Sequence, residues 1–184
     1  MSTRKSMAWV GTLALLLAGS LAASLTVKAA EKSDSEQVSN LLSEARTMAF
    51  QLKVDAQTME SFTRVNVTWQ SHAAAITQIK DHANALAAQV DRLKFAREDA
   101  SPWQRTAIDR IDPYLNEMSG YVEAVIENLN QHPERLNTAE YKDYLQANAD
   151  YASDLAEMIG SFVDYGRTKE RLEHQAERLE VPTT

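Results

Sequence analysis

The chain has 184 residues, 26 acidic and 19 basic side chains, a formal net charge of −7 and no cysteine. Without cysteine it forms no disulfide, thiolate metal site, cysteine nucleophile or haem attachment through a Cys-x-x-Cys-His pair. An acidic balance with no cluster of Lys and Arg argues against nucleic acid as a partner and against docking on anionic lipid.

Arg4 and Lys5 precede an uncharged stretch from Met7 to about Val27, with its apolar centre at Trp9–Ala18. A basic start, a short apolar middle and small residues before a cut describe a secretory signal peptide. Val27-Lys28-Ala29 places the cut after Ala29, so residues 1–29 are read as the signal peptide. The alternative is an uncleaved anchor, because a span of about twenty uncharged residues approaches a membrane crossing. Its Gly, Ser and Thr content favours cleavage. The expected location is periplasmic or extracellular. Removing residues 1–29 takes out Arg4, Lys5 and Lys28, which leaves the remainder three charges more acidic. That remainder, about 155 residues, is long enough for one ordinary core without disulfides.

After Lys28 the apolar residues recur at alternating steps of four and three, the spacing that keeps one helix face against its neighbours. The first predicted helix carries Val38, Leu42, Ala45, Ala49, Leu52, Ala56 and Met59 on its seam, with Ser33 and Glu36 as a capping box. The second carries His72, Ile76, Ile79, Ala83, Leu86, Val90 and Leu93, capped by Asn66 or Thr68. The third opens at Ser101-Pro102 and carries Ile108, Ile111, Leu115, Met118, Val122, Val125 and Leu129. Pro113 lies inside it and is read as a kink, or alternatively as a break with Asp112 as a new cap. The fourth begins near Asn137 and carries Tyr141, Leu145, Asn148, Ala152, Leu155, Ile159 and Phe162. Similar repeat lengths and short connections predict an all-α, antiparallel up-down-up-down four-helix bundle over residues 33–166. Apolar residues are missing from the seam at Gly166 and Lys169. Residues 167–184 are therefore read as a charged helical tail that either projects or bends at Gly166, with a thin stripe of Leu172, Ala176 and Leu179. A coiled-coil contact with another chain is the functional reading of that tail, and a solvated helix with internal ion pairs is the plain one.

In such a bundle His72, His132 and Met59 fall at one end, together with Phe62, Tyr141 and Tyr144. Two His and a Met are candidate metal ligands, suited to copper or an axial haem; a partly wet bundle end accounts for them equally and more simply. Met48 and His174 are the pair that a haem held between the first and last helices would use. No inward Glu-x-x-His pair exists for a carboxylate di-metal centre. Asn148 stands in an apolar seam, where a polar residue commonly fixes register. Trp69 and Trp103 sit at helix starts and are expected to cover the bundle ends. Exposed on one surface, they would instead form a platform for a partner or a glycan. No Ser, His and acidic set lies in a strained turn or Gly-rich loop, so no catalytic residue is assigned and an enzyme is not expected. No cofactor is implied.

Several stretches carry a resemblance: Leu41–Ala45, Met59–Arg64, Trp69–Ala73, Pro102–Ile108, Tyr141–Tyr144 and Phe162–Gly166. They are similar to a group of secreted bacterial helical-bundle proteins to which no activity is assigned. The resemblance spans most of the chain after the leader and implies an envelope location, but no reaction. Ala100-Ser101-Pro102-Trp103-Gln104 also resembles the Leu-Thr-x-x-Gln motif of periplasmic helical stress chaperones, with a different first residue and in one copy. The expected role is an exported, non-enzymatic bundle acting through protein or cell-envelope contacts, self-association included. The alternative is a ligand- or metal-binding periplasmic bundle using the His72/His132 end.

Overall fold

Four helices form where the apolar spacing predicts them: α1, Glu36–Ser61; α2, Trp69–Phe95; α3, Pro102–Gln131; and α4, Ala139–Arg178. The computed structural model describes residues 32–180, and all regular structure among them is helical. The signal peptide expected over residues 1–29, with its cut after Ala29, lies outside the described residues. No helix among the described residues is long and apolar enough to cross a membrane.

Each helix start has a local cause. Ser35, not Ser33, caps α1 and accepts a hydrogen bond from the Val38 N–H at 3.4 Å. The Ser33/Glu36 box fails because the chain enters α1 two residues later, where Ser35 can reach an amide of the first turn. Thr68 caps α2 through the Ser71 N–H at 3.3 Å. Ser101 and Pro102 open α3 as expected, and the Gln104 side-chain oxygen accepts from the Ser101 N–H at 2.9 Å. Thr138, not Asn137, caps α4 through the Tyr141 N–H at 3.3 Å. Short 3-10 turns at Phe62–Arg64 and Ala96–Asp99 close α1 and α2.

The predicted seams of α1, α2 and α3 are buried at every position, His72 included. In α4 the seam holds from Tyr141 to Ile159; there the buried residue is Val163, while Phe162 is only partly covered. The helix packs its last core turn one residue further round than a strict heptad would place it. α1 packs on α2 and α4, and α3 packs on the same two helices. Each fully buried Leu or Ile on these faces stabilises the fold by about 1.5–3 kcal/mol.

The even repeat lengths are not what forms. The helices run 26, 27, 30 and 40 residues. α3 continues through Pro113 without a break. Pro113 is exposed, so the carbonyl that loses its partner faces water. α4 also continues unbroken through Gly166 to Arg178. Gly166 is no hinge: a Cβ there would stand 2.7 Å from the Trp103 ring. The residue is bare because α3's first turn presses against it.

Three amide side chains join the core. Gln89 donates to the Leu41 carbonyl at 2.9 Å and to Glu44 at 3.0 Å. Gln104 donates to the Ser35 carbonyl at 2.9 Å and to the Ser39 hydroxyl at 3.0 Å. Asn148, 2 % exposed, has no protein partner for either amide atom among the described residues.

Leu86→Asp is expected to unfold the domain, because an unpaired charge at a position with 0 % exposure costs several kcal/mol; an unchanged melting curve would contradict the burial of that face. Gly166→Ala is expected to destabilise by about 1–3 kcal/mol through overpacking, although alanine is the better helix former. Trp103→Phe in the same chain should recover part of that loss in a double-mutant cycle by thermal melting. Additive effects would show that the ring and residue 166 do not collide.

Candidate functional site

At the end where α1 closes and α2 and α4 begin, Met59, His72 and Tyr141 are buried and Phe62 is packed partly over them. The His72 ring meets Phe62 edge-on at 5.3 Å, and its Nδ1 is hydrogen-bonded to the Tyr141 hydroxyl at 2.9 Å. Burial lowers the His72 pKa below its ordinary 6.5. Burial likewise pushes the Tyr141 phenol well up, so both groups are uncharged at neutral pH. His72 is thereby a core side chain with one ring nitrogen occupied.

His132 does not join it. The expected seam position fails because α3 ends at Gln131; His132 caps that end with a half-exposed ring, its Nδ1 3.9 Å from Glu134. Among the described residues, no group of three His, Asp or Glu side chains is gathered closely enough to hold a metal ion. For the haem pair, Met48 packs partly buried on α1, whereas His174 is exposed on α4 beside Glu177 at 3.6 Å. Trp69 is not an end cover either: it is 47 % exposed.

The opposite end is tied by a polar junction. The Trp103 indole N–H donates to Asp34 at 2.7 Å, and the Lys169 ammonium donates to the other Asp34 oxygen at 2.9 Å. Burial alone would raise the Asp34 pKa, but its polar surroundings, with Lys169 and Trp103 donating to it, outweigh burial and hold the carboxyl below its ordinary value. Lys169, expected to break the seam, instead ties α4 to the residues before α1 and also pairs with Glu173 at 2.9 Å.

The third feature is an aromatic face along α3 and α4. Trp103 meets Tyr165 at 5.4 Å, Arg110 stacks over Phe162 at 5.9 Å, and Tyr151 lies 5.9 Å from Tyr114 and 5.0 Å from Tyr121. The Tyr151 hydroxyl donates to Glu117 at 2.8 Å, and this bond, with burial, raises the phenol pKa. Near Trp103 the two helices leave an open cleft of about 580 Å³, floored by Met158 and Phe162 and edged by Arg110, Asp154 and Glu157. Aromatic, Met and Arg side chains at the centre with a polar rim match the anatomy of a contact surface. Sequence reasoning singled out Trp103 but missed this face. Apart from Phe162, its residues lie outside the predicted seams, and they converge only when two helices are set side by side.

Because the folded chain resists protonating His72 while the unfolded chain accepts a proton near pH 6.5, stability is whole above that pH and falls below it. His72→Gln is expected to flatten the decline of melting temperature between pH 7 and pH 5; an identical slope in both proteins would remove His72 from that dependence. No family model, curated protein or solved structure matches the chain.

Proposed function

We propose that the chain is exported and works as a non-enzymatic, antiparallel up-down-up-down bundle that acts through protein or cell-envelope contacts. The topology is supported by the two ends. Asp34 and Ser35, at the start of α1, hydrogen-bond to Trp103 and Gln104 at the start of α3. The starts of α2 and α4 meet through His72 and Tyr141, against Phe62 at the close of α1. Export is supported by Arg4 and Lys5, the uncharged stretch after them and the small residue at Ala29. A bacterial envelope location follows from the resemblance to secreted helical bundles.

One observation carries the contact reading. Tyr165 and Leu172 on α4 and Leu179 at its C-cap recur at seven-residue spacing and are 53 %, 59 % and 72 % exposed. A line of large apolar side chains on the solvent side marks an interaction surface rather than a scatter of single exposed residues.

Two measurements test the proposal. Intact mass of the protein recovered from the envelope or medium is expected to place its first residue at Ala30, whereas a chain beginning at Met1 in the cytoplasm overturns export. Photocrosslinking in intact cells from position 165 or 172 is expected to trap a covalent protein adduct. No adduct from either position overturns the contact reading.

A further inference from the structure

We propose that the α4 extension docks in the α3/α4 cleft of a second copy of this chain, pairing two chains antiparallel through their fourth helices. The proposal rests on the contact reading above and names its partner.

The register of α4 leads to it. Tyr144, Tyr151, Met158, Tyr165, Leu172 and Leu179 follow one another every seven residues, so each lies next to the one before it on a stripe that turns about 20° per heptad. As far as Tyr165 that face has α3 beside it: Tyr151 meets Tyr114 and Tyr121, Met158 floors the cleft, and Tyr165 meets Trp103. α3 begins at Pro102, and there the cover ends. The same stripe then continues through Leu172 and Leu179, both exposed, with nothing opposite it among the described residues. From Glu170 to Glu180 every side chain is exposed except Ala176, which is half-buried. The extension beyond Gly166 runs about 18 Å at 1.5 Å per residue. The α4 residues that line the cleft, from Asp154 to Tyr165, span about 16 Å by the same rise.

Charge selects the occupant. On α4, Asp154 and Glu157 lie on one flank of the stripe. By helical position, Arg171 and Arg178 lie on that same flank of the extension, and Glu173 lies on the other. In an antiparallel pair related by a two-fold axis, like flanks meet. Arg178 of one copy then comes level with Glu157 of the second. Leu172 falls against Tyr165 and Leu179 against Met158. Each copy gives one extension and one cleft, so the contact is closed and stops at two chains.

Sedimentation velocity of the protein recovered from cells, over a range of concentrations, is the test. A monomer–dimer equilibrium is expected. Leu172→Glu with Leu179→Glu should weaken it at least tenfold while leaving the circular-dichroism melt unchanged at concentrations where the parent is monomeric, since both positions are exposed within one chain. Arg178→Glu alone and Glu157→Arg alone should each weaken it, and the two together should restore it. A monomer at every concentration overturns the proposal, as does a dimer indifferent to the leucine changes or a charge swap without recovery. Should the double glutamate variant lose its fold, the charge swap still decides. Photocrosslinking from position 172 separates the two readings. An adduct of twice the chain mass supports the second copy; an adduct with a different protein overturns it while preserving the contact reading; no adduct from 165 or 172 removes both.

Discussion

Trp103 lies against α4 because residue 166 has no side chain, and the same indole donates to Asp34, which in turn accepts from Lys169. Three separate parts of the chain meet at that point: the residues before α1, the first turn of α3 and the last packed turn of α4. The junction sets the length of the bundle. Before it, α4 has α3 and α1 for neighbours; after it, α4 runs on with polar and charged side chains in water. A carboxylate there remains charged despite partial burial because an indole N–H and an ammonium donate to it. A larger residue at 166 would displace the ring, and the ring is what aims a donor at Asp34.

The seams of α1, α2 and α3 were legible residue by residue because burial on a helix follows a spacing that sequence displays directly. The caps were less so. Ser33 and Ser35, or Asn137 and Thr138, are chemically equal choices, and only the path of the incoming chain decides which oxygen reaches a first-turn amide. Gly166 and Lys169 misled for a different reason. Read along α4 alone, a glycine and a lysine at seam positions look like the end of packing. In the fold the glycine is the closest approach of two helices and the lysine answers a carboxylate well over a hundred residues earlier. Sequence spacing is blind to such pairs, because the partner is set by the crossing of elements. Gln89 and Gln104 show the same limit: each is a polar residue that burial would penalise, and each is matched by partners from α1 or the residues just before it.

Asn148 stands apart from those two glutamines. It is as deeply buried, but its amide oxygen and nitrogen have no protein partners among the described residues. A group of this kind costs about 1–3 kcal/mol relative to a paired one. The burial itself was readable from the heptad; the lack of a partner was not. An unpaired amide in a seam otherwise made of Ile, Leu, Val and Ala is a local concession in stability, and it disfavours any shift of α4 that would move the amide further into an apolar layer. The His72–Tyr141 pair solves the corresponding problem at the neighbouring end by joining two polar tips to one another.

The extension of α4 needs two separate explanations. That it is helical is accounted for locally: a segment of about twelve residues is marginal as a free helix, but this one grows from a docked helix and pays no nucleation cost. Ion pairs such as Lys169–Glu173 help further. None of this requires Leu at 172 or 179. A solvated continuation would hold as well with glutamate or lysine at those positions, and would leave no large apolar side chains in water. What distinguishes the two leucines is their register: they lengthen the very face that α3 covers further back. A helix that keeps its interior pattern after its neighbour has ended presents half of a packing surface, and the matching half is an apolar groove with opposite charges at its edges. The α3/α4 cleft of the same sequence has that form, which is why a second copy answers both the exposed stripe and the open cleft with one set of contacts.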